Sequence, residues 1–348
     1  MKKQLLTSLF AFLLVFSLCM GCSKAEPGDK TTASDSLEVS SQKTSPVKIT
    51  LNEVAHSVFY APLYVAIEKG YFKDENIDLT LVTGFGADKT MTAVISGEAD
   101  IGFMGSEASV YMYSEGASDY VVNFAQLTQR AGNFLVARQD NEHFQWADLK
   151  GKTVLGGRKG GMPEMVFEYI LKENGIDPEK DLTIIQNIDF GSTAPAFADG
   201  RGDFTIEFEP GATSLESEGK GHVIASLGKD SGYVPYTAFS AKKSYLKENP
   251  DVIQRFTNAL QKGMDYVRSH SPSETASVIK PQFPETTLEM ITTIVTRYYE
   301  QDTWKSNLIF EESSFDLLQD ILESAGELEK RTPYKDLITT EFAENAAK

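Results

Sequence analysis

Apolar and polar residues alternate from Val47 to Leu51, the period-two pattern of a strand with one buried face. A helix is expected from Ala61 to Lys69, stopped by Gly70, and a second strand from Ile77 to Val82. A helix at 89–96, a strand at 99–103 and a helix opened by Gly105 and Ser106, with Ser106 as its N-cap, come next. Two further strands are expected at 121–126 and 133–137. A second set begins near Asp148: strand 152–155, helix 165–173, strand 182–188, helix 193–199, then strands 204–208 and 223–226. From Ser244 onward the pattern is mainly helical, with runs at 250–270, 288–299 and 315–325. Strands separated by helices predict an α/β fold with mostly parallel pairing. Ligands in such sheets lie beyond the carboxyl ends of strands. That rule selects the loops 52–60, 84–88, 105–107, 158–163, 189–192 and 207–211.

The N-terminal pattern is of another kind. Lys2 and Lys3 precede an almost wholly apolar run from Leu5 to Leu18, then small residues and Cys22. This reads as an export signal over residues 1–21, because the apolar run is shorter than the roughly 20 residues a spanning helix needs. Leu18-Cys19-Met20-Gly21-Cys22 resembles a bacterial lipoprotein cleavage site, which implies lipid on the Cys22 thiol, although Cys19 stands where an aliphatic residue is usual. An ordinary cleaved signal with an incidental cysteine is the alternative. Residues 22–46 are Ser-, Thr-, Lys- and Asp-rich and nearly lack large apolar side chains, so they read as a flexible leash.

Charge and cysteine content narrow the function. The net charge is −17, or −19 once Lys2 and Lys3 leave with the signal, which disfavours a nucleic-acid partner. Cys19 and Cys22 are the only cysteines, so the folded part carries neither a disulfide nor a thiol nucleophile. No His/Asp/Glu cluster has metal-ligand spacing, and no metal or cofactor is expected.

The most specific stretch is Tyr60-Ala61-Pro62-Leu63-Tyr64-Val65-Ala66-Ile67-Glu68-Lys69-Gly70-Tyr71-Phe72. With Glu75-Asn76-Ile77-Asp78-Leu79, Gly97-Glu98-Ala99-Asp100-Ile101-Gly102 and Phe208-Glu209-Pro210, it resembles binding proteins for sulfonates, taurine, nitrate and thiamine-precursor pyrimidines. The order and spacing hold over roughly residues 48–270. The resemblance implies a type 2 periplasmic-binding fold: two α/β lobes joined by a two-strand hinge, with ligand in the cleft. The lobes would be residues 47–137 with 238–348, and 138–237. It also implies partners, the permease and ATPase subunits of an ABC importer, and a monomeric, lipid-anchored, extracytoplasmic binding protein rather than an enzyme. A pyrimidine-synthase relative of the same fold carries a Cys-rich run beside its site, and both cysteines here precede the fold.

The ligand must be argued from the selected loops. Lys89, Arg158 and Lys159 are the cationic candidates for an oxyanion, with the backbone N–H groups of Arg158-Lys159-Gly160-Gly161 at a helix start, and Met162 is a further ligand-binding candidate. Against an anion stand Glu53, Glu107, Glu207 and Glu209. In pyrimidine-binding relatives an aromatic residue takes the place of Glu53. Residues 207 and 209 share one face of a strand, so both approach the cleft or neither does. Asn52, His56, Ser106 and Gln126 are polar candidates, and Phe59, Tyr60, Phe85, Phe190 and Tyr233 are aromatic ones. Phe103 and Tyr60 are expected in the lobe core. Acids with aromatics favour a nitrogen-bearing, aromatic ligand such as an aminopyrimidine. A sulfonate or related oxyanion is the alternative.

Overall fold

The computed structural model describes residues 45–348. The expected signal, the leash and Cys22 lie outside the described residues, except for Ser45 and Pro46. Among the described residues ten strands form: β1 Val47–Glu53, β2 Ile77–Thr83, β3 Ile101–Gly105, β4 Val121–Thr128, β5 Asn133–Ala137, β6 Thr153–Leu155, β7 Thr183–Ile185, β8 Phe204–Phe208, β9 His222–Ser226 and β10 Thr237–Lys242. They build two five-stranded mixed sheets, ordered β2-β1-β3-β10-β4 and β7-β6-β8-β5-β9. Within each sheet the βαβ-connected strands pair in parallel, β1 with β2 and β3, and β6 with β7 and β8. The strands that arrive from the other sheet, β10 and β5, pair antiparallel with both neighbours. Helices flank both sheets, giving the expected α/β architecture.

One expected boundary is corrected. Residues 133–137 were assigned to the first lobe, but β5 pairs with β8 and β9 in the second sheet. The chain therefore changes sheet at residues 129–132 and returns at 231–236. An apolar run announces a strand without naming its partner, so the division was misplaced by one strand. The strand expected at 99–103 is also shifted, to Ile101–Gly105. Ser106 does not cap the helix Glu107–Ser114 that follows; its own backbone is already helical and its hydroxyl donates to the Pro235 carbonyl.

The C-terminal helices do not belong to the first lobe alone. Helix Pro250–Ser269 packs on helix Ala61–Glu68 of the first lobe, whereas helix Glu312–Ala325 packs on helix Met162–Glu173 of the second. Between them, residues 301–304 brace the outgoing crossing. Gln301 Nε2 donates to the Ala131 carbonyl (3.0 Å), Gln129 N–H donates to the Thr303 carbonyl (2.9 Å), and the Trp304 indole donates to the Phe59 carbonyl (2.8 Å).

Gly263 shows how closely the first pair of helices meets: a Cβ there would overlap the Pro62 carbonyl oxygen. Alanine inside a helix ordinarily gains about 1 kcal/mol over glycine. Overpacking against an immovable backbone costs about 1–3 kcal/mol, so crowding wins. Gly263→Ala is expected to lower stability by up to about 2 kcal/mol net, seen as a lower urea midpoint in an equilibrium unfolding curve.

Candidate functional site

The site is built where the two crossings pass between the sheets. Phe59, fully buried at the start of the Tyr60–Phe72 stretch, lies 5.7 Å from Tyr236, 6.2 Å from Phe208 and 5.2 Å from Tyr298 between ring centroids. Phe208 ends β8 in the second sheet, and Tyr236 immediately precedes β10 in the first. Gly132, on the outgoing crossing, has no side chain because a Cβ would come within 2.7 Å of the Phe59 ring. Tyr60 stands edge-on to Phe103 at 4.5 Å, and Phe103 stacks on Phe239 at 4.2 Å. Both Tyr60 and Phe103 are buried, as expected of core aromatics.

The four acids separate clearly. Glu53 is buried and accepts hydrogen bonds from the Tyr64 hydroxyl (2.8 Å) and the Thr83 hydroxyl (3.0 Å), and meets His56 Nδ1 at 2.8 Å. The hydrogen bond to Glu53 is the main cause that raises the His56 pKa against the opposing effect of burial; His56 Nε2 meets the Gln282 carbonyl at 2.9 Å. Glu207 accepts from the Thr205 and Thr193 hydroxyls at 2.6 and 3.0 Å, and burial pushes it up to about 7. Glu209 accepts from the Thr213 N–H and hydroxyl, both at 2.9 Å, and pairs with Arg297 at 2.8 Å. The alternation expected of 207 and 209 gives way at the strand end, and each has partners within the protein.

Glu107 differs. It is 4 % exposed and pushed up to about 7, with burial as the main cause. Its carboxyl folds back over Gly105, where a Cβ would overlap it, and its own backbone N–H holds one side. Among the described residues its Oε2 has no hydrogen-bond partner. The buried hydroxyl of Tyr236 likewise has none. Burial raises the pKa of Tyr236 most, with the neighbouring Tyr60 and Glu107 adding to it. Burial likewise raises Tyr60 first, then Glu53 and Glu107. A carboxyl and a phenol thus share one dry, aromatic-walled region with hydrogen-bonding capacity unspent.

The anion-binding loop is already occupied by the protein. Gly160 N–H donates to Glu164 Oε2 at 3.1 Å, and the Lys159 and Gly161 N–H groups donate to the carbonyls of Gln186 and Arg158. Glu164 is held up at about 8 by burial and by Glu168 beside it. Arg158 points to Asp88 across the lobes at 3.2 Å, and Lys89 is exposed. Met162 is buried. The Tyr111 hydroxyl donates to the Gly160 carbonyl at 3.2 Å, a second bond across the lobes.

The remaining candidates scatter. Asn52 accepts from the Thr90 hydroxyl at 2.8 Å and ties down the helix Ala87–Ser96. Gln126 is buried, with Nε2 donating to the Thr128 carbonyl at 3.0 Å. Phe85 is 75 % exposed at a loop tip with φ 57°. Phe190 opens the helix Phe190–Ala198. Tyr233 is half exposed and bound outside the aromatic cluster, its hydroxyl on Asp302 at 2.9 Å and its ring under Arg130 at 4.1 Å. Sequence reasoning missed Tyr236, Tyr111 and Asn133. Asn133 had a signal: it is the lone polar residue heading the run Phe134-Leu135-Val136-Ala137. Among the described residues no group of His, Cys, Asp and Glu is placed to hold a metal, and no helix is long and apolar enough to cross a membrane.

Two lobes enclosing a buried site between their crossings define the architecture of periplasmic binding proteins. Solved structures share it: the alkanesulfonate-binding protein SsuA of Xanthomonas axonopodis pv. citri bound to MOPS (TM-score 0.69, 15% identity, 85% of this chain and 99% of that one) and the nitrate-binding protein NrtA of Synechocystis PCC 6803 (TM-score 0.67, 15% identity, 87% and 88%). Residues 58–274 match the family described as NMT1/THI5 like, and the chain belongs to that family. It is 49% identical over 303 residues, 87% of this chain and 91% of the relative, to "Putative binding protein YtlA" of Bacillus subtilis (strain 168). It is 23% identical over 247 residues, 65% and 68% of the two chains, to the 4-amino-5-hydroxymethyl-2-methylpyrimidine phosphate synthase of Candida albicans (strain WO-1).

The Glu107 carboxyl gives a pH signature. Its folded pKa lies above its ordinary value of 4.5, so the stability it contributes is full below pH 4.5 and is lost as pH rises to about 7. Glu107→Gln is therefore expected to gain on the wild type across that interval, by on the order of 3 kcal/mol, and to level off above it. Chemical denaturation of both proteins at pH 4.5 and pH 8 measures the difference; a constant gap refutes it.

Proposed function

We propose that this protein is the solute-binding component of an ABC-type importer, lipid-anchored through Cys22 outside the cytoplasm and acting as a monomer. It captures a small nitrogen-bearing, aromatic ligand between its lobes and passes it to a membrane permease driven by an ATPase. Binding rather than catalysis is supported by the binding-protein name of its relative YtlA and by the architecture shared with SsuA and NrtA.

The Glu107 carboxyl carries the ligand class. A buried carboxyl with one unspent oxygen, near the Tyr236 hydroxyl and under aromatic walls, suits an amino N–H donor or a protonated ring nitrogen. It is a poor neighbour for an oxyanion. The N–H groups at 159–161 that would have received one already have acceptors within the protein.

Thermal-shift and calorimetric titration of the purified protein against aminopyrimidines, other amino-heterocycles, alkanesulfonates and nitrate test the proposal. The amino-heterocycles are expected to raise the melting temperature through mass action. Glu107→Ala is expected to weaken the same ligands about 10- to 100-fold, the usual consequence of losing a charge-assisted hydrogen bond in a dry site. Binding of a sulfonate or nitrate, with none of any amine or heterocycle, would overturn it.

A further inference from the structure

Asn133 is wholly buried, and among the described residues neither its Oδ1 nor its Nδ2 has a hydrogen-bond partner. Buried amides are nearly always paired, because an unmet donor or acceptor forfeits its hydration for nothing. The fold makes no visible use of this one. Its side chain bonds neither crossing, and the residues after it in β5 are apolar.

Its position says what the carboxamide faces. Asn133 heads β5 and stands directly opposite Phe208 in the antiparallel ladder with β8. Opposed residues of such a ladder present their side chains on one face. The Phe208 ring lies 6.2 Å from Phe59 and 6.2 Å from Tyr236. Asn133 therefore shares the aromatic cluster with the Tyr236 hydroxyl, which also lacks a partner. Two unspent polar groups, the Tyr236 phenol and the Asn133 carboxamide, come to this cluster from different chain segments, and the Glu107 carboxyl neighbours Tyr236. Asn133 comes from the second sheet, whereas Glu107 follows β3 of the first.

We propose that Asn133 is the specificity-determining residue of the interlobe site. Its carboxamide reads one edge of a planar heterocycle on which an exocyclic amino group adjoins a ring nitrogen. Oδ1 accepts from the amino N–H and Nδ2 donates to the ring nitrogen, the side-by-side pairing by which a planar amide reads an aminated ring. Glu107 and Tyr236 bind the remaining polar edge. This assignment rests on the ligand class proposed above and adds the group that selects within it.

The test compares 4-amino-2-methylpyrimidine with 2,4-dimethylpyrimidine, which keeps the shape and loses the amino donor. Calorimetry is run on the wild type, Asn133→Leu and Asn133→Asp, with the melting temperature of each ligand-free protein measured alongside. The wild type is expected to prefer the amino compound by about 100-fold, because a site built around a hydrogen bond rejects an analogue that leaves it unmet. Asn133→Leu is expected to abolish the preference while leaving the ligand-free melting temperature equal or higher, since the unmet amide is gone. An asparagine with a purely structural role would lower it. Asn133→Asp retains the shape but replaces the donor, and is expected to lose at least about 10-fold for the amino compound; it decides the matter should the leucine variant fail to fold. Undiminished preference in the folded variants overturns the role of Asn133 alone. A wild type that binds neither pyrimidine, nor any heterocycle in the wider screen, overturns the ligand class and this assignment with it.

Discussion

The packing of Phe59 on the bare Cα of Gly132 is the contact on which the arrangement of the two sheets turns. The ring belongs to the first lobe, the glycine to the segment leaving it, and Phe208, 6.2 Å away, to the second. The same residue's carbonyl receives the Trp304 indole from the segment that braces the crossing. One buried aromatic residue thus meets the outgoing crossing, the second lobe and the bracing segment at once. Interiors are packed near crystal density and do not deform continuously, so the glycine is needed for shape rather than for flexibility. It also follows that the cluster's polar neighbours, Glu107, Tyr236 and Asn133, are held in a region from which water is largely excluded.

Dryness changes what the acids do. A chain of net charge −17 has carboxylates to spare on its surface, but those at the junction are individually managed. Glu53 is held by two hydroxyls and a histidine, Glu207 by two threonines and Glu209 by Thr213 and Arg297. These are structural carboxylates: they order loops and the strand end of β8. Glu107 and Glu207 are both pushed to about 7, and for the same main reason, burial. What separates them is the partner count, since only Glu107 retains an oxygen with nothing to accept from.

Much of the architecture was legible in the sequence. Period-two runs such as 47–51 and the apolar run Phe134–Ala137 of β5 located strands to within a residue or two, because burial dictates composition. Which sheet β5 joins was not legible, since strand pairing is a long-range property and the run looks the same in either sheet. Of the candidate site, the strand-end rule selected the loop that carries Glu107, whereas Asn133 and Tyr236 lie outside the selected loops. Glu53, Glu107, Glu207 and Glu209 occupy equivalent sequence positions, and only the three-dimensional placement of Tyr64, Thr83, Thr193, Thr205, Thr213 and Arg297 spends three of them. The candidate anion loop was illegible for a similar reason: Glu164, four residues on, accepts from the Gly160 N–H. Tyr233 and Phe85 were chosen as aromatic residues in loops, and both ended at the surface, where loop position and burial part company.

The bonds across the lips of the two lobes are few and light. Arg158–Asp88 is more than half exposed on both sides, and Tyr111 reaches Gly160 by a single neutral hydrogen bond. A surface ion pair contributes at most about 1 kcal/mol, and such bonds re-form with water at little loss. The junction behind them, by contrast, is an apolar cluster tied to both crossings and to the C-terminal helices. Such a molecule resembles a clasp with a stiff spring and a weak catch. The stronger ties lie behind the lips, where Ser57 and Arg297 hold the carbonyl and the carboxylate of Glu209, so the two sides are joined at the root and only lightly at the rim.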